Sequence, residues 1–392
     1  MSFAVQGWCP GALRPMQSGD GLVVRIRPPL GRITPPQALG IAQAARAHGN
    51  GLIDLSGRAN VQVRGVTAAS HPALIADLSA LGLIDPDLET ESRRNVIVTP
   101  FSDATTDALA SALEAALPLA PPLPGKFGFI VDTGPAPLMH DTAADIRLER
   151  ASDGTLILRA TGMDLGAPVT VDAAPTAAVA LAQWFVGAGG VTNGRGRMAA
   201  LIAQGLRPTG VLAGTLAPAP ALPPPSPGLV APGPGLVAPG PGLVAQAALV
   251  GFAFGQMEAE TFAALGALGP LRITPWRMVL VEGLRDLPRM SGVITDPDDP
   301  LRHVFACTGA PGCLQAVSAT RPLARALAGR LPAGQTLHVS GCAKGCACPG
   351  PAAVTLVATP QGWDVVARGT AADAPVRTGL TEAQIVALPE LT

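Results

Sequence analysis

The residues best suited to chemistry are the cysteines. The chain has six in 392 residues, and five of them lie between Cys307 and Cys348. That stretch reads CTGAPGC, then 28 residues, then CAKGCAC. Five residues separate Cys307 from Cys313, and three separate Cys342 from Cys346. A cubane 4Fe–4S cluster needs four thiolates brought together by tight turns whose amides face the sulfides. Gly309, Pro311, Gly312, Gly341 and Gly345 suit such turns, because glycine accepts positive φ and close backbone approach. Three other uses compete. Disulfides fit poorly in a chain with no sign of export. Structural zinc commonly takes two to four residues between paired ligands, so a gap of five counts against it without removing it. Four unliganded buried thiols would leave the clustering unexplained. Cys307, Cys313, Cys342 and Cys346 are therefore expected to hold a 4Fe–4S cluster, with Cys9 a small buried residue.

The whole-chain properties narrow the class. The length allows two or three domains with sizeable cores. Hydrophobic residues make up 48% and charged residues 14%, which argues against general disorder. A formal charge of −1 gives no global attraction to nucleic acid or anionic membrane. The start, MSFAVQGWCPGALRPM, lacks the basic and apolar regions of a signal peptide. No stretch approaches the ~20 apolar residues of a spanning helix. A cytoplasmic protein is expected, without nucleic-acid or membrane partners. There is no Walker-type GxxxxGK[ST], and no complete GxGxxG follows an expected strand.

Elements that position the cysteines can be read in order. GLVVRIR is a strand, and Thr34 starts a helix through His48 with Pro35 at its first position. LIDLSG and NVQVRGV alternate as a half-buried strand pair, and a helix follows over 71–81. A strand near 95–99, a helix in TTDALASALEAAL, the strand FGFIVD and a hairpin about Ser152-Asp153-Gly154 come next. The helix AAVALAQWFVGAG brings Trp184 and Phe185 to the core. Residues 217–246 are rich in proline, with GLVAPGP twice and a third GLVA. They read as an extended linker or exposed loop without chemistry. Beyond them the first pattern returns. Setting Gly283 against Gly65 aligns ITPWRMVLVEG with LSGRANVQVRG, and RHVFACTGA with RRNVIVTPF, so Cys307 stands opposite Thr99. The expected divisions are 1–85 (first half-module), 86–216 (cysteine-free module), 217–246 (linker), 247–300 (second half-module) and 301–392 (cluster module).

Cys-x5-Cys followed at a distance by Cys-x3-Cys resembles the cluster motif of the sirohaem-dependent sulfite and nitrite reductases. ACTGAPGC, VSGCAKGCACPGPA, CPGALRPMQSGDGLVVRIRP and LPGKFGFIVD are most similar to a related family, the precorrin-3B synthases of aerobic cobalamin synthesis. The likeness covers nearly the whole chain outside the linker. It implies an α+β fold of duplicated ferredoxin-like and cluster-binding modules related by a pseudo-twofold. By position in the matched motifs, Arg58, Arg94 and Lys126 are expected at the tetrapyrrole site, with Arg64 beside them. Arg277, Arg195 and Arg197 are further candidates. Arginine suits carboxylates because its planar fork binds them bidentately. Where the reductases have a second lysine of a Lys-x-Lys pair, this chain has Gly128, which weakens the cage that a small anion such as sulfite would need.

The resemblance implies an oxygen-dependent monooxygenase that hydroxylates precorrin-3A at C20 and closes a γ-lactone. Its cofactors would be the 4Fe–4S cluster and a mononuclear non-haem iron, and its partners dioxygen and an external ferredoxin or NADH-dependent reductase. His338, His303, His140 and Asp141 are considered as ligands of that iron, but no spacing singles out a set. At Cys348 the family more often has histidine. Two alternatives stand beside this reading. One is a sirohaem-containing nitrite or sulfite reductase, and the other a non-catalytic cluster protein that relays electrons.

Overall fold

The computed structural model describes residues 10–230, 246–332 and 334–388. Cys9 and most of the GLVAPGP repeat fall outside these residues. Among the described residues there are four five-stranded sheets, in two matched pairs.

The first pair belongs to the two half-modules. In the first half, Gly21–Ile26, Val61–Val66 and Leu52–Leu55 form an antiparallel sheet edged by Met16–Ser18. In the second half, Ala247–Gly251, Met278–Glu282 and Leu271–Ile273 repeat the order. Each half then lends the other a strand. Gln256–Glu258 pairs with Leu52–Leu55, and Arg32–Ile33 pairs with Leu271–Ile273. The cross-strand register is duplicated as well, with Ile53 opposite Val63 and Leu271 opposite Val281.

Backbone conformation carries the same duplication. Ala59 and Arg277 both take the left-handed region, at φ 53° and 59°. So do Leu30 and Phe254, at φ 55° and 60°. Such values are uncommon outside glycine. Their recurrence at matched positions means that the turn geometry is inherited by both halves. Gly65 and Gly283, at φ 70° and 82°, complete the set and bear out the alignment.

One helix from each half packs over both sheets. Pro35–His48 starts at Thr34, whose hydroxyl accepts from Gln37 N while the Gln37 side chain returns to the Thr34 amide. Ala38, Ile41, Ala42 and Ala45 face inward at helical spacing. They meet Ala259–Leu268, which buries Phe262, Leu265 and Gly266. A Cβ on Gly266 would stand 2.3 Å from that of Ala38, so glycine sets the helix separation. Ile26, Ile41, Leu74, Phe262, Leu265 and Val279 all belong to one hydrophobic core. Neither half could bury its apolar face alone.

The second pair of sheets carries three parallel strands and then two antiparallel ones. Val96–Val98, Phe129–Asp132 and Ile146–Arg150 are parallel, with Leu156–Ala160 and Ala167–Pro168 following antiparallel. Val304–Ala306, Leu337–Ser340 and Ala352–Thr359 repeat this, followed by Gly362–Gly369 and Arg377–Leu380. Phe185 is fully buried in the cysteine-free copy, and Trp184 packs partly buried against the same core.

The linker expectation needs one correction. Gly228–Val230, the start of the first repeat, forms an edge strand on Ala247–Gly251. It occupies the place that Met16–Ser18 holds in the first half. An edge strand bonds on one side only, and this tripeptide contains no proline to break the ladder.

Candidate functional site

Parallel strands bring the cysteines to one end of their sheet. Cys307 follows Val304–Ala306, Cys342 follows Leu337–Ser340, and Cys346 and Cys348 lie in the loop before Ala352–Thr359. In open α/β sheets, the carboxyl ends of parallel strands are where ligands gather. The duplication locates Cys307 closely. Its N–H donates to Val339 O at 3.3 Å, as Thr99 N–H donates to Val131 O at 2.9 Å. Cysteine thus stands where the sibling copy has threonine.

The Cys307 and Cys346 thiols meet. Cys307 is buried, and its Sγ accepts the Gly341 N–H at 3.2 Å. The Cys346 thiol, together with the Gly341 and Gly309 amides and the Thr320 hydroxyl, draws the Cys307 thiol down to about 6 despite its burial. Cys346 is exposed as a residue, yet its thiol is pushed up by its hydrogen bond to Cys307, by burial, and by the charges of Cys307, Cys313 and Cys342. Gly341 admits this approach, since a Cβ there would lie 2.6 Å from Ala316 Cβ and 3.5 Å from Cys307 Sγ. Four soft donors around amide N–H groups are the right chemistry for an iron–sulfur cube.

Among the described residues neither these sulfurs nor the candidate ligands of a mononuclear iron close on a single metal ion: no three His, Cys, Asp or Glu side chains form a group that would hold one. His140 and Asp141 are exposed, His303 ends the short helix Pro300–His303, and His338 is buried in mid-strand within Leu337–Ser340. These four do not converge as an iron site.

The first-half sheet grips the cysteine loop. Gly312 O accepts from Ser18 Oγ at 2.5 Å, Arg64 Nη2 at 3.0 Å and Gly19 N at 3.2 Å. Arg64 is buried and pairs with Asp20 at 2.7 Å and Asp54 at 3.7 Å. Across the pseudo-twofold the charges reverse. Arg272 pairs with Glu282 and donates to Pro100 O and Ser102 O, gripping the cysteine-free loop. Two equivalent sheet faces are therefore filled differently. In the cysteine-free one, Ala247, Leu249, Met278 and Leu280 form an apolar cluster packed by Phe101 and Trp276. On the side facing the cysteine loops, the position matching Leu249 is Arg25, paired across strands with Gln62.

Arg25 is buried with Nε and Nη1 unpartnered among the described residues. Arg27 is also buried, and its Nε lacks a partner. Burial and the neighbouring Arg25 and Arg94 charges lower it to about 10, against the pull of Glu91 and Asp85. Arg321, which approaches Asp54 at 3.8 Å, leaves its own Nε unpartnered. Buried cations without acceptors are costly unless an anion completes them. Near the same loop, a cavity of about 520 Å³ is lined by Gly57, Trp276, Arg277, Arg302, Ala347 and Pro349. Arg302 also donates to Ser226 Oγ at 3.0 Å, which ties the proline-rich segment to the cavity rim.

The arginines singled out by sequence have separate placements. Arg58 donates to Lys126 O at 2.9 Å, and its Nη1 lies 3.3 Å from where a Gly128 Cβ would stand. Those three positions are together. Lys126 is exposed. Arg94 is held by Asp85 at 2.7 Å, by Glu114 at 3.7 Å and by Arg27 O. Burial opposes its charge, but the two acids keep it above its ordinary value. Arg197 pairs with Asp145, and Arg195 is exposed. Arg25, Arg27 and Arg321 escaped sequence reasoning. For Arg25 and Arg27 the signal was a charged residue at alternate positions of an otherwise core-facing strand, VVRIR; Arg321 opens the helix Arg321–Leu327 and carried no comparable signal.

Comparison with known proteins now adds to this geometry. Residues 14–81 match the model of the nitrite/sulfite reductase ferredoxin-like half domain. A Sinorhizobium protein named precorrin-3B synthase is 31% identical over 416 aligned positions, covering 94% of this chain and 84% of the relative. The chain belongs to the precorrin-3B synthase family. It is an enzyme of that kind. The structure of Mycobacterium tuberculosis NirA superposes with a TM-score of 0.66 at 17% identity, over 93% of this chain and 79% of NirA, and so shares the fold. The α+β duplication, with its pseudo-twofold, is thus the nitrite/sulfite reductase architecture. Among the described residues, no helix is long and apolar enough to cross a membrane.

Proposed function

We propose that this chain converts precorrin-3A to precorrin-3B in aerobic cobalamin synthesis, by hydroxylation at C20 and closure of a γ-lactone. The observation that carries this reading is the asymmetry of the two equivalent sheet faces. One is plugged by Leu249, Leu280 and Phe101, while the other holds Arg25 and Arg27, and Arg321 near Cys307, each with an unfilled guanidinium nitrogen. A macrocycle bearing many carboxylates supplies the acceptors those nitrogens lack. Family membership favours precorrin-3A over other tetrapyrroles.

Cys307, Cys313, Cys342 and Cys346 would hold a 4Fe–4S cluster, which supplies one-electron transfer when bound. In the overall reaction, one atom of dioxygen enters the product and the other leaves as water. An external donor, a ferredoxin or an NADH-dependent reductase, provides two electrons and two protons. The protein's own part is to orient the macrocycle through its carboxylates and exclude water from the reacting edge. No step is assigned to a mononuclear iron, because the described histidines and acids do not assemble a site for it.

The sirohaem reductase reading is weaker at Gly128. A side chain there would crowd Arg58 Nη1 at 3.3 Å and Asn95 O at 3.2 Å. Arg94, moreover, is already neutralised by Asp85 and Glu114. Aerobic incubation with precorrin-3A and a reductant should give a product heavier by one oxygen atom in mass spectrometry. Unchanged substrate, together with nitrite or sulfite consumption by protein showing sirohaem bands, would replace this reading with the reductase.

A further inference from the structure

His338 lies in the middle of Leu337–Ser340, paired with Phe305 on one side and Thr355 on the other. It is 0% exposed, and neither ring nitrogen has a hydrogen-bond partner among the described residues. The duplication supplies an internal control. The matching residue in the cysteine-free copy is Ile130, between Ile97 and Arg147, also 0% exposed. The fold therefore accepts a plain aliphatic side chain here, and a buried imidazole with two unmet nitrogens is a net cost to stability.

What sits against the ring suggests what offsets that cost. Leu337 and Val339 belong to the module's hydrophobic core, and His338 alternates to the other side of the strand. There a Cβ on Gly345 would stand 3.6 Å from His338 Cε1 and 3.8 Å from Cys348 O. The imidazole edge thus lies under the Cys342–Cys348 loop, one residue from Cys346. Burial, reinforced by the Arg277 charge, lowers His338 to about 4, so the ring is neutral and carries a single N–H.

We infer that His338 donates its ring N–H to a sulfur of the cluster held by Cys342 and Cys346, and so tunes the potential at which that cluster accepts an electron. The inference rests on the cluster reading above. Hydrogen bonds to cluster and thiolate sulfurs stabilise the more negative, reduced form, so removing one makes reduction harder. His338 is a positioning and tuning residue, since it reaches the reaction only through the cluster.

The test compares the full-length protein with His338→Ile, which copies the sibling strand, and His338→Gln, which keeps an N–H. Iron and acid-labile sulfide are measured first, and the midpoint potential is then read by EPR-monitored redox titration. His338→Ile should keep parental iron and sulfide while its reduction equilibrium constant falls about tenfold, a shift of ~59 mV for one electron. His338→Gln should recover most of that shift. A His338→Ile protein that titrates at the parental potential overturns the inference. So does loss of iron and sulfide from both variants, which would make His338 part of the cluster's scaffold. Parent protein without iron and sulfide would instead sink the cluster reading itself, and this inference with it.

Discussion

Arg64→Ala separates a ligand-binding role from a structural one. The Arg64 side chain is 6% exposed, pairs with Asp20 at 2.7 Å and Asp54 at 3.7 Å, and donates to Gly312 O at 3.0 Å. Truncation leaves Asp20 without its cation and Asp54 with only the more distant Arg321, and frees one of the three donors on the cysteine loop. Breaking a buried pair by removing one partner costs roughly 3–5 kcal/mol. Asp20 is more exposed than Arg64, which favours the lower half of that range. Urea unfolding followed by circular dichroism at neutral pH measures the loss. The double variant Arg64→Ala with Asp20→Ala should recover part of it, because the stranded charge is gone. Iron and sulfide retention should fall in parallel, since Gly312 adjoins Cys313. A loss below about 1 kcal/mol, with tetrapyrrole affinity reduced instead, would refute this reasoning and return Arg64 to the substrate site.

Other outcomes follow from the same geometry. Cys307→Ser should abolish iron and acid-labile sulfide, whereas Cys348→Ser should retain both, because the Cys348 thiol turns to Gly350 O at 3.5 Å; retention in the first or loss in the second corrects the ligand set. Arg25→Ala should weaken tetrapyrrole binding by about 1.5–3 kcal/mol, the worth of a hydrogen bond to a charged group. It should not lower the stability of the free protein, since it removes a buried cation with unmet nitrogens; equal affinity in an equilibrium titration would take Arg25 out of the site. Gly266→Leu should cost about 1–3 kcal/mol by forcing Ala259–Leu268 away from Ala38, and an unchanged urea midpoint would show that the helix interface yields freely.

The sequence alone determined what local rules control. Thr34 with Gln37 starts a helix because both partners lie within four residues. The Gly65 and Gly283 alignment exposed the duplication because both halves need the same left-handed turn. Cysteine spacing marked the two loops proposed to hold a cluster, since tight turns have fixed lengths. The tertiary structure decided what depends on the partner across the pseudo-twofold. Strand lending by Gln256–Glu258 and Arg32–Ile33, and the edge strand Gly228–Val230, are long-range pairings that no local period encodes. The same holds for charge. Arg64, Arg94 and Arg25 look alike as letters, yet Asp20 and Asp85 engage the first two while Arg25 keeps nitrogens unmet. A guanidinium's role is set by which acceptors the fold brings within hydrogen-bond reach, and those acceptors come from distant parts of the chain.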